Sequence, residues 1–182
     1  MSTLDSNDTA RPNNPIWDTV LRYGGYNGLI AIVFSMAFYL LGVDVFSISG
    51  MLTATLLPVT ASIIMAVLAV KHQRDQLDGG YIKYSKALLV GLIVVFMGSF
   101  VSSLWNYLLV TVIDPGYIDQ MKENFANSAF GGSVPPEAME EALKGFDKIG
   151  DLTQTLISGL SGGLFWGLIV GLIVAAALKK EN

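Results

Sequence analysis

Four apolar runs, each long enough to cross a bilayer and each free of charged side chains, constrain this chain more than anything else in it. They occupy residues 23–43, 45–70, 87–113 and 152–178. A helix needs about 20 apolar residues to cross the ~30 Å hydrocarbon layer. Within that layer each backbone N–H and C=O must be satisfied inside the segment, so such runs have to be helical. The predicted fold is all-α, a polytopic membrane protein with four transmembrane helices. The competing reading is a soluble protein with unusually greasy core helices. Only 14% of the residues are charged, where soluble domains carry about 25%, and four such runs in succession decide for the membrane.

Charge then orients the spans. Arg11 and Arg22 precede the first run, Lys71, Arg74, Lys83 and Lys86 separate the second from the third, and Lys179 and Lys180 follow the fourth. The opposite side carries only Lys122, Lys144 and Lys148, all in the long third loop. The positive-inside rule therefore predicts that both termini and the loop 71–86 are cytoplasmic. Residues 1–16 read as a polar cytoplasmic tail, and 17–182 as a single four-helix transmembrane domain with an extracytoplasmic helical loop over 114–151. The first run is longer than a secretory h-region and follows a polar leader without net positive charge, so it is expected to be an uncleaved anchor.

Small residues mark the faces on which the helices should pack. In the fourth run Gly159, Gly163, Gly167, Gly171 and Ala175 recur at every fourth position, the pattern of a glycine zipper. Small residues let two backbones approach closely, which matters where lipid supplies no hydrophobic drive between helices. The twelve Leu, Ile, Val and Phe residues from Leu156 to Leu178 favour insertion by roughly 4–7 kcal/mol, so the glycines do not threaten the span. The zipper can seat a helix of the same chain or drive oligomerisation; intramolecular packing is the commoner use. The first run has its own stripe, Gly24, Gly28, Ala31 and Ser35. Runs one and four are antiparallel, so Gly28 is expected to approach the stretch 167–171.

Polar features inside the runs are few and neutral. Pro58 lies near the middle of the second, among Thr53, Thr55, Thr60 and Ser62. It reads as a static kink with nearby hydroxyls to re-satisfy the backbone, and secondarily as a hinge. Asn106 in the third run reads as a hydrogen-bonding link to a neighbouring helix, or as part of a polar cavity. The absence of cysteine excludes disulfides, iron–sulfur clusters and thiolate chemistry. One histidine, His72, builds no multi-histidine metal site. No catalytic, cofactor-binding or metal-binding residue is assigned, no cofactor is expected, and a nucleic-acid partner is not expected.

The loops divide by character. Asp78-Gly79-Gly80 reads as a turn, and Gly79-Gly80 lacks the spacing of a phosphate loop. The loop 114–151 holds eight acids against three lysines. Its segment 135–150 is predicted to be an amphipathic helix, with Met139, Leu143, Phe146 and Ile149 on one face and Glu137, Glu140, Glu141 and Lys144 on the other. The simple role is a cap on the bundle; the functional one is a lid or docking surface.

Arg74-Asp75, Gly79-Gly80-Tyr81-Ile82-Lys83-Tyr84 and the span ending in Ile113-Asp114-Pro115 resemble the uncharacterised family called domain of unknown function 4199. So does the opening Trp17, Tyr23-Gly24 and Gly28-Leu29-Ile30. The likeness covers roughly residues 16–178. It implies four spans in a bacterial inner membrane and no particular activity. With no ionisable residue inside a span, coupled transport is disfavoured. The expected function is a non-enzymatic accessory or scaffold role, with a small oligomeric channel or transporter as the alternative. The expected partners are the bilayer and a second copy or another membrane protein.

Overall fold

Glycine and proline end three of the four long helices, and side-chain caps hold the first N–H groups of two of them. The computed structural model describes residues 15–129 and 131–181. The tail 1–14 with Arg11, Phe130 and Asn182 lie outside the described residues. The four long helices are α1 (Pro15–Leu40), α2 (Ile48–His72), α3 (Tyr84–Leu108) and α6 (Leu152–Leu178), with two short ones, α4 (Tyr117–Asn127) and α5 (Pro136–Asp147), between α3 and α6. One π-helical turn extends α2 over Gln73–Leu77, and another extends α3 over Leu109–Ile113. The four long segments have 25–30 residues and are apolar enough to cross a membrane. At 1.5 Å per residue they measure about 40 Å, so their ends reach past the hydrocarbon into the interface.

Gly42 (φ +61°) turns the chain at the end of α1, where the Val43 N–H donates to the Phe38 carbonyl at 3.0 Å. A left-handed residue at this helix end is easiest for glycine, which has no Cβ to clash. The Ser47 hydroxyl accepts the Gly50 N–H at 3.0 Å and caps α2, and the Asp151 carboxylate accepts the Gln154 N–H at 2.8 Å and caps α6. Gly79 (φ +66°) and Gly80 (φ +92°) make the reversal between α2 and α3.

Helix α3 is the centre of the bundle. It runs parallel to α1, with Gly24 facing Met97 and Gly28 facing Val101. It runs antiparallel to α6, with Gly159 on Ser103, Gly163 on Ser99 and Phe96, Gly167 on the Leu92 backbone and Gly171 on Leu88 and Gly91. This corrects the expected mate of the α6 stripe: α1 and α6 scarcely touch, and Gly28 does not reach 167–171. The reason lies on α3, which offers Gly91, Ser99 and Ser103 to α6 and so permits the close approach there.

The most tightly packed residues gather where α1 begins and α6 ends. Val20, Ala66, Ala69, Val70, Ala87, Val90, Val94, Val174 and Ala175 form one buried cluster. A polar knot closes that basic end: the buried Thr19 hydroxyl donates to Gln73 at 2.7 Å, Gln73 donates to Asp78 at 3.1 Å, and Lys86 pairs with Asp78 at 2.7 Å. Elsewhere Leu29, Val33, Leu56, Ile63, Phe165 and Ile173 point outward and are exposed. In water so much exposed apolar surface favours aggregation, whereas in a bilayer lipid tails cover it.

At the other end α4 and α5 form a cap. Phe46 of the α1–α2 loop packs edge-on against Phe125 of α4 and Phe146 of α5, with centroids 5.4 and 5.7 Å apart. Lys122 of α4 pairs with Asp147 at 2.5 Å, and that hydrogen bond raises the lysine's pKa. The helix expected over 135–150 is α5 followed by a 3-10 turn, Lys148–Gly150. Met139, Leu143, Phe146 and Ile149 are half-buried, and Glu137, Glu140, Glu141 and Lys144 are exposed.

Candidate functional site

Polar groups within the long helices converge on one hollow. Asn27 of α1 stands at its base, made possible by Gly98 of α3: a methyl group there would collide with the Asn27 amide nitrogen. The Ser62 hydroxyl of α2 donates to Asn27 Oδ1 at 3.1 Å, and Asn27 Nδ2 donates to the Val94 carbonyl at 3.4 Å. Higher up, the Ser35 hydroxyl of α1 donates to Asn106 Oδ1 of α3 at 3.2 Å. The structure thus brings Asn106 and Ser62 into one polar path with a residue the sequence reading passed over.

Around these groups lies a cavity of about 310 Å³, lined by all four long helices. Its polar rim comes from Ser99, Ser102 and Ser103 of α3 and Ser158 of α6, with Pro58 opposite. A second cavity of about 480 Å³ shares Pro58, Ser102 and Asn106 with it and reaches Tyr117 and Met121 of α4. A third, about 320 Å³, shares Ser103, Asn106 and Ser158 and reaches Lys148 under the cap. Together they make a vestibule from the middle of the bundle to the underside of the α4–α5 cap. Below Asn27 it stops against the packed cluster of the basic end.

No ionisable side chain lines the first cavity. The Asn106 Nδ2 group and the hydroxyls of Ser99, Ser102 and Ser158 have no protein acceptor among the described residues, while Ser103 bonds back to the Ser99 carbonyl at 3.0 Å. Such a lining can donate and accept hydrogen bonds but holds no base to activate a hydroxyl. No group of three His, Cys, Asp or Glu able to hold a metal occurs among the described residues.

The other residues singled out in sequence serve the frame. Gly163, Gly167, Gly171 and Ala175 are buried along α6, and Gly159 and Gly163 also border the cavity. Arg74 pairs with Asp75 at 2.6 Å and donates to the Leu178 carbonyl at 3.3 Å, so it ties α2 to the last carbonyls of α6. Gly79 and Gly80 supply the turn and touch no polar site. Asn27, Ser99, Ser102, Ser103 and Ser158 were missed. Ser99, Ser102 and Ser103 lie at i, i+3 and i+4, one helical face, which was the signal available for them.

The family model described as "Protein of unknown function (DUF4199)" matches residues 22–180. No curated protein and no solved structure matches the chain.

Proposed function

The chain belongs to the DUF4199 family, described as proteins of unknown function, and from that premise we propose a non-enzymatic membrane accessory protein that holds a ligand or partner at its vestibule. The observation that carries this reading is that the vestibule does not run through to the basic end of the bundle. Hydroxyls and amides line it beneath the cap, and packed alanines and valines stop it below. A dead-ended polar space in a neutral bundle suits retention better than passage. Proton-coupled or ion-coupled transport generally uses intramembrane charge, and the first cavity's lining offers only neutral groups.

The proposal includes orientation: a bacterial inner membrane, both termini and the loop 71–86 in the cytoplasm, and the α4–α5 cap outside. Eight of the eleven basic residues then face the cytoplasm. An oligomeric channel is the second reading, supported by the hydroxyl lining. It would need a pore between copies, yet the smallest-residue face of α6 is already occupied by α3. The deciding experiment is solute flux in proteoliposomes, together with the mass of the purified particle. Permeation of glycerol or small ions above the empty-vesicle rate would overturn the accessory reading. A tight vesicle is the expected result.

A further inference from the structure

The geometry points to the cavity around Asn106 as a binding site for the glycerol-ester end of a neutral, single-chain lipid that enters from the bilayer between α2 and α6. This rests on the reading of the vestibule as a dead-ended binding space, and names what it binds.

Hydrogen-bond demand sets the class of ligand. Asn106 Nδ2 and the hydroxyls of Ser99, Ser102 and Ser158 are donors without a protein acceptor among the described residues. A serine hydroxyl can turn to the carbonyl one turn back, as Ser103 does, but facing the cavity these groups also offer donors to an acceptor that enters it. Ester carbonyls accept, and glycerol hydroxyls do both. A phosphate or ammonium head would lose its hydration with no counter-charge in the lining, so charged heads are disfavoured.

The mouth faces the lipid. No residue of α2 between Gly50 and Ala66 is buried. Pro58, Val59 and Ser62 form one rim on α2, and the exposed Ser158 and Trp166 form the other on α6. The two helices share the buried core through Ala66, Ala69 and Val70 and through Val170, Val174 and Ala175, toward the basic end. Ser62 lies about 20 Å along α2 from its start and Asn106 about 10 Å from the end of its span, so the cavity sits just below ester depth. Trp166 then offers its ring to the acyl chain.

The cavity holds about 310 Å³. That volume is within the range of small-molecule sites, about 300–1,000 Å³.

The test uses the full chain in detergent with Trp17→Phe and Trp105→Phe, which leaves Trp166 as its only tryptophan. Monoacylglycerol brominated on its acyl chain should quench Trp166 saturably. Brominated alkane and brominated lysophosphatidate, matched in chain, should each need about tenfold more, the worth of one or two hydrogen bonds. Asn106→Leu should raise the monoacylglycerol midpoint about tenfold with thermal stability held; if that variant misfolds, Ser102→Ala, whose hydroxyl has no bond in the fold, carries the same test with a smaller shift. Equal quenching by the three compounds, or unchanged midpoints in the variants, overturns the site. Failure here with tight proteoliposomes leaves the accessory reading standing, whereas solute flux overturns that reading whichever lipid quenches.

Discussion

At the scale of single residues, the glycines are not equivalent. A methyl group at Gly167 would lie 2.8 Å from the Leu92 carbonyl oxygen, which is backbone and cannot step aside. Gly24 would meet Met97 at its Cβ and its Sδ, each at 2.9 Å, and Gly162 would meet nothing within 4 Å. Gly167→Ala should therefore destabilise the bundle by about 1–3 kcal/mol, as overpacking does. Gly162→Ala should be neutral or stabilising, since alanine is the better helix former by up to ~1 kcal/mol. Thermal unfolding in detergent, followed by circular dichroism, separates the two. An unaltered melting temperature for Gly167→Ala would show that α3 and α6 can part at little cost. Spacing alone could not rank these glycines, because the ranking depends on which atoms stand opposite.

At the scale of elements, the α4–α5 cap holds by apolar contact. Phe46, Phe125 and Phe146 meet one another, and Leu143 is half-buried beside them in sequence and on the same face of α5. A 12-residue helix is marginal alone in water, so this contact keeps it. Leu143→Glu should release α5 and speed amide exchange across 136–147 by an order of magnitude or more, as about 1.4 kcal/mol of lost packing would. Glu140→Gln should change little, because its 2.7 Å pair with Lys144 is exposed. Hydrogen exchange read by mass spectrometry makes the comparison. Elements such as this were legible in the sequence, since a face of Met139, Leu143, Phe146 and Ile149 needs only a period. So were the four long helices, from length and hydropathy. The mates were not: a stripe on α6 says which face packs but not on what. Asn27 and Ser62 lie 35 positions apart, and nothing local to either announces the other.

For the whole molecule, orientation is the first thing to check. Reporters fused after Leu178 and within 71–86 should be active only in the cytoplasm, and one inserted at Gly132 only outside it. The reverse pattern would invert the proposed topology and put the acidic cap beside anionic headgroups. The vestibule was only partly legible at this scale. Pro58 and Asn106 stood out as polar or kinking residues in apolar runs, but a cavity is the space that four helices fail to fill, and no single segment records it.

The central place of α3 bears on how the chain is made. Synthesis delivers α1 and α2 before α1 has its main mate, α3. Gly24 and Gly28 find Met97 and Val101 only when α3 arrives, and the Asp78–Lys86 pair also waits for it. A nascent chain halted before Tyr84 is therefore a hairpin without a keystone, open to proteases and quality control. One halted after Ile113 already has α1, α2 and α3 together but lacks the α3–α6 interface, the largest in the bundle. Pulse-chase of the two truncations should find the shorter one cleared several times faster, and equal lifetimes would mean that the first two helices can wait on their own.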